Sequence, residues 1–234
     1  MFIFAYIYQR KNIVYKKHTK MKKTFLLLLA FCLFSSNILS AQNKKIQNPT
    51  SSDMEKAIEI MNTAKNATQL EQAVRFFEVM AEDEGVDWLP AYYAAYSNTL
   101  ISSMISKPAI RDAHLNKAQT HIEEADLLSP DNVEVAVVQA YIYQTRIDVN
   151  PNVRTREYAP MVQVAFNKAT KLDSENPRLY YLQAQALLFS SNPNNNGVEK
   201  ACPMIDKANE LFADFEAESK VHPQWGKEMS EYMS

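Results

Sequence analysis

The chain has 234 residues, 47% of them hydrophobic and 22% charged, with a formal net charge of −2, a length and balance that suit one domain with a continuous core. Only three glycines occur in the whole chain, so a fold that needs many left-handed turns, or a glycine-rich loop cradling phosphate, is disfavoured and a helical one is favoured. Of the two cysteines, Cys32 lies in the leader and Cys202 in the body; an intrachain disulfide is excluded once the leader is removed, and stability must come from packing.

The chain opens on an address. Met21-Lys22-Lys23 precedes the apolar stretch Phe25 to Phe34, which is too short to span a bilayer, and small residues follow at Ser40-Ala41. A basic segment, an apolar segment and a small-residue exit form a secretory signal peptide, with cleavage expected after Ala41 and with Leu39 larger than the usual residue near such a cut. The long basic run before Met21 points to Met21 as the start of translation. Cys32 is a poor lipid-attachment site because the bulky Phe31 precedes it. Residues 1–41 hold seven of the 25 Lys and Arg and none of the 27 Asp and Glu, so their removal leaves 18 bases against 27 acids. An exported chain about nine charges negative, periplasmic or secreted, disfavours nucleic acid and anionic lipid as partners. No stable membrane span is expected after cleavage.

Residues 42–52, QNKKIQNPTSS, are polar and aperiodic and read as a disordered lead; the helical domain runs from 53 to 234. Asp53 can cap a first helix. Apolar residues at spacings of three and four, broken at Pro and Asn/Asp clusters, predict helices over 53–66, 68–83, 88–105, 110–128, 132–148, 155–172, 177–190 and 197–213, with a short one after Pro223. The second, fourth, sixth and eighth share one spacing of four, three, three: Ala73, Phe77, Met80; Ala118, Ile122, Ala125, Leu128; Val162, Phe166, Ala169, Leu172; Ala201, Ile205, Ala208, Leu211. Small residues recur where helices press together and large ones where they fill the gap.

This pattern resembles the second helix of a tetratricopeptide repeat. Continued in the same register, it brings the family's small first-helix position onto Ala95, Ala140 and Ala184 and its repeat-end proline onto Pro130. Departures are clear: Asn98 stands at an aromatic position, Met61 at a small one, and all repeats after the first exceed 34 residues. The extra residues lie in SKPAIRD, DVNPNVRTRE and SSNPNNNG, between the two helices of a pair, where insertions are tolerated. The resemblance implies an all-α solenoid of about four antiparallel helix pairs with a C-terminal capping helix.

Nothing along the chain assembles catalysis. There is no nucleophile elbow or glycine-rich turn before a helix, Cys202 reads as a bystander, and His114 and His121 stand seven apart, too far for one ion without a ligand between. The acidic clusters belong to wet helix faces, His121 among them. A non-enzyme without metal or cofactor is expected.

Tyrosines crowd the first helices. The repeat register puts Tyr143 and Tyr180 in the core and places Tyr92, Tyr96, Tyr141, Gln144, Tyr181 and Gln185 on the inward face, where such an array implies a ligand groove. Tyrosine supplies rigid apolar area and one hydroxyl; the competing reading is that these rings only pack between repeats. The Lys, Arg and Asn set by which carboxylate-clamp members of the family grip a chain terminus is missing from the groove positions, since Lys65, Asn62 and Arg178 are too scattered to copy it. The leading expectation is an exported interaction module holding a protein or peptide segment; the alternative is a glycan-binding accessory protein of an outer-membrane uptake system. Neither Trp88 nor Trp225 falls at a groove position in this register, which weighs against sugar.

Overall fold

The computed structural model describes residues 51–82, 87–188 and 196–234. The expected signal peptide lies outside the described residues, as do the polar lead up to residue 50 and most of the SSNPNNNG connection. Among the described residues there are nine helices and no strand. They are α1 (Ser51–Thr63), α2 (Ala67–Ala81), α3 (Trp88–Met104), α4 (Pro108–Leu128), α5 (Val133–Val149), α6 (Pro151–Leu172), α7 (Pro177–Leu188), α8 (Gly197–Asp214) and α9 (Lys227–Tyr232).

Short polar side chains decide where several of these helices start. Asn66 accepts from the Gln69 amide, Asp87 from Leu89, and Asn132 from Glu134 and Val135, satisfying amides that the first turn leaves without carbonyl partners. Proline opens α4, α6 and α7, where its missing N–H costs nothing. Two starts correct the sequence reading. The insertions SKPAIRD and DVNPNVRTRE are not edge loops, because Pro108 and Pro151 each start a helix within them and lengthen α4 and α6. The two extensions then meet: Arg154 donates both terminal nitrogens to Asp112 at 2.6 and 2.7 Å, and its guanidinium holds the Asp112 carboxyl below its usual range. Likewise Ser51 and Ser52, expected in the lead, belong to α1.

Consecutive helices pack as hairpins, α1 with α2, α3 with α4, α5 with α6 and α7 with α8. The first helices α1, α3, α5 and α7 also touch in succession and make one layer, with the second helices laid against it. The recurrent spacing explains this order. Ala73, Ala118, Ala125, Ala169, Ala201 and Ala208 are fully buried, and so are Ala95, Ala140 and Ala184 facing them from the first helices. The spacing loses its hold at its fourth position, where Leu128 and Leu172 stand exposed. Asn98 replaces an aromatic residue without an energetic debt: its side-chain nitrogen donates to the Ala94 carbonyl, and its oxygen meets Nδ1 of His114 on α4 at 2.9 Å.

Ala140 sits in the core cluster that contains Phe166 and Ala169 of the paired helix. Leucine there has no space to enter, so Ala140→Leu should lower stability by about 1–3 kcal/mol. A urea denaturation midpoint equal to that of the wild type would mean that the helices do not meet at this residue.

Candidate functional site

Of the six inward positions, Tyr96 meets Tyr141 and Gln185 donates to the Tyr181 hydroxyl, yet the six do not line an open groove. Tyr92, Tyr96, Gln144 and Tyr181 are buried, Tyr96 retaining 8% of its surface, while Tyr141 and Gln185 are half-buried. What covers them is the chain itself. After α8, residues 215–226 return across the first-helix layer as a strap, and Trp225 stacks on Tyr96 with ring centroids 4.4 Å apart. Its indole N–H donates to the Tyr92 hydroxyl at 2.8 Å, and its ring lies edge-on to Tyr181. Trp225, which the repeat register places away from the groove, therefore fills it.

Arg178 at the start of α7 locks the strap. It is fully buried, pairs with Glu134 of α5 at 2.9 Å and donates to the Pro223 carbonyl of the strap. Its guanidinium lies 4.5 Å from the Phe215 ring centroid and 5.4 Å from that of Trp225. Glu134 is held in turn by Asn176 at 2.7 Å. Gly226 ends the strap at φ +105°, and a Cβ there would come within 2.8 Å of Phe212, so both conformation and space call for glycine. Burial pushes the pKa of Tyr92 and of Tyr96 well above that of a free phenol, and both hydroxyls stay protonated. With the groove closed by its own chain, the tyrosines behave as the packing reading has it, and a peptide could lie along them only by displacing the strap.

An open concavity lies between the outer helices α4 and α6 with α5 as its floor. α4 and α6 are bridged twice, by Asp112 with Arg154 and by Asp126 with Lys168, the second at 2.8 Å. Fourteen residues separate the two partners on each helix, so the two helices run in parallel register, and the bridges stand about 21 Å apart. Between them, nearer the second bridge, lies a cleft of about 620 Å³. Its walls are apolar: Leu127 of α4 is 82% exposed, and Met161 and Val164 of α6 are 42% and 68% exposed, with Ala136 on the floor. Glu123, Asp126 and Lys168 form the charged rim.

Tyr143 also lines this cleft and is half-buried, with Tyr158 6.2 Å away; the expectation that Tyr143 and Tyr180 are core residues fails for both, since both keep partial exposure. Tyr158 of α6 packs beside Tyr143 at the edge of this cleft. A signal for the cleft was present in the sequence: Met161 and Val164 are apolar but lie off the packing spacing of Val162, Phe166 and Ala169, which makes a second apolar stripe on one helix.

Other candidate groups behave individually. His121, expected on a wet face, is tucked between Glu78 and Glu124 at 3.5 and 3.6 Å. Cys202 is exposed. Among the described residues no three His, Cys, Asp or Glu side chains converge as a metal site, and no helix is long and apolar enough to cross a membrane.

No protein-family model matches the sequence, and no curated protein matches it. Among solved structures, the chain is similar to the HusA haemophore from Porphyromonas gingivalis, with a TM-score of 0.71 and 25% sequence identity over 80% of this chain and 92% of that one.

Proposed function

We propose that this protein is an exported, non-catalytic carrier that binds haem or a closely related tetrapyrrole in the apolar cleft between α4 and α6. The observation that carries the reading is that cleft in a fold shared, over nearly the whole length of the other chain, with a haemophore. A protein that exposes Leu127, Met161 and Val164 together around one concavity leaves apolar area in water that a flat apolar ligand would cover. The cleft volume falls within the range of about 300–1,000 Å³ usual for small-molecule sites. The lining holds no histidine or cysteine; Tyr143 and Met161 are its side chains able to face a ring or its metal. Lys168 is the rim's cation, already paired with Asp126, so carboxylate groups of the ligand would compete for it or remain in solvent. The leader at residues 21–41 supports export, and the small-residue spacing supports a divergent tetratricopeptide-like origin for the helix pairs. This reading is nearer to the expected accessory protein of an uptake system than to a peptide-holding module, with a tetrapyrrole in place of a glycan.

Titration with hemin, followed by its Soret absorbance, should show saturable binding. Val164→Asp puts a charge into the apolar wall at a position exposed enough to leave the fold unaffected, and should weaken hemin binding at least about tenfold, or about 1.4 kcal/mol. Hemin that fails to saturate, or that binds Val164→Asp as well as the wild type, would remove the basis for this assignment.

A further inference from the structure

A second cavity, of about 480 Å³, lies on the opposite layer between α1 and the strap. Its apolar side is formed by Ile58 and Met61 of α1 and by Trp225. Tyr93 and Tyr96 of α3 line it from below, 2% and 8% exposed. Neither hydroxyl makes a hydrogen bond among the described residues, although the neighbouring Tyr92 hydroxyl is held by Trp225. Neither hydroxyl belongs to the fully sealed polar atoms of the core, and both residues line the cavity. A phenol whose ring is buried and whose hydroxyl has no protein partner has its hydrogen bond to offer to whatever enters.

The rim supplies the charge. Lys220 and Lys227 border the cavity, and neither makes an ion pair among the described residues; Glu228 is the single carboxylate there. On a chain with 27 acids against 18 bases after residue 41, two lysines without an ion pair among the described residues, on the rim of a cavity lined by two tyrosines, are a local reversal of sign. Burial keeps both phenols protonated, hence donors.

We propose that this cavity is a second ligand site, taking a small amphipathic carboxylate whose apolar body lies against Met61 and Trp225 and whose carboxylate accepts from Tyr93 and Tyr96 beside Lys220 and Lys227. The site is independent of the tetrapyrrole reading, since it shares no lining residue with the cleft between α4 and α6.

Octanoate is the probe, with n-octanol as its uncharged counterpart, and calorimetric titration of the full exported chain is the measurement. Octanoate should bind saturably at one site and octanol at least about tenfold more weakly. The double variant Tyr93→Phe/Tyr96→Phe keeps both rings and should lower octanoate affinity about tenfold or more, as expected for hydrogen bonds to a charged acceptor. Its melting temperature should match the wild type, because the hydroxyls bond nothing among the described residues. Lys220→Ala/Lys227→Ala should weaken octanoate but not octanol. Saturating hemin should leave the octanoate affinity unchanged. The proposal is overturned by non-saturable octanoate uptake, by octanol binding equally well, by the phenylalanine variant binding octanoate as the wild type does, or by a drop in that variant's melting temperature, which would make the hydroxyls structural. Competition by hemin would move octanoate to the other cleft and overturn it equally.

Discussion

Replacing Arg178 with methionine should cost about 3–5 kcal/mol of stability, the largest loss expected from any single substitution at the strap. The side chain is fully buried, and its removal leaves Glu134, itself nearly buried, without a counter-charge and the Pro223 carbonyl without its donor. The guanidinium also lies over three rings, Phe215 and Trp225 on the strap and Phe212 at the end of α8. Because most of the cost comes from the stranded carboxylate, Arg178→Met combined with Glu134→Gln should recover part of it, giving a coupling that a double-mutant cycle reads directly. Urea denaturation of the four proteins is the measurement. A loss below about 1 kcal/mol for the single variant would mean that the pair is solvated as a surface ion pair would be.

Trp225→Ala should cost about 3 kcal/mol, near the lower end for truncating a large aromatic side chain, since the ring keeps some exposure. It removes the stack on Tyr96 and the hydrogen bond to Tyr92 together. The helices should survive, because the small-residue contacts between them do not involve Trp225, so the far-ultraviolet circular dichroism should be unchanged while the near-ultraviolet signal of the packed aromatics falls. Unfolding midpoints equal to the wild type would show that the strap does not hold the groove closed. Hemin binding at the cleft between α4 and α6 should be unaffected, because none of the cleft's lining residues lies on the strap.

The existence, order and pairing of the helices were legible because they rest on local rules. The Asn/Asp breaks of the pattern coincide with caps at Asn66, Asp87 and Asn132, whose hydrogen bonds reach only two or three residues, although Asp53, the cap expected by name, lies in the first turn of α1; the alanines of the recurrent spacing mark close approach within one turn or two of a helix. The same local reasoning failed at the insertions. Proline reads as a break in a pattern, whereas at a helix's first turn it is compatible with the helix that follows, so Pro108 and Pro151 start helices earlier than expected.

The site was a different matter. Periodicity assigns Tyr92, Tyr96, Tyr141, Gln144, Tyr181 and Gln185 to one face, but a face is not a free surface. Whether it is free depends on Trp225, which reaches Tyr92 across 133 residues, and on Arg178, which meets Glu134 across 44 and Pro223 across 45. Such contacts carry no spacing that a sequence displays, because they are fixed by where the strap returns in space and not by the pitch of any helix. The apolar cleft likewise needs two helices, α4 and α6, to be held in parallel register by paired charges 42 residues apart. The sequence by itself determined an all-helical chain and the faces its helices bury, since backbone hydrogen bonding and side-chain period are local; only the tertiary structure decided which face stays open to a ligand, since that depends on what distant segments come to rest on it.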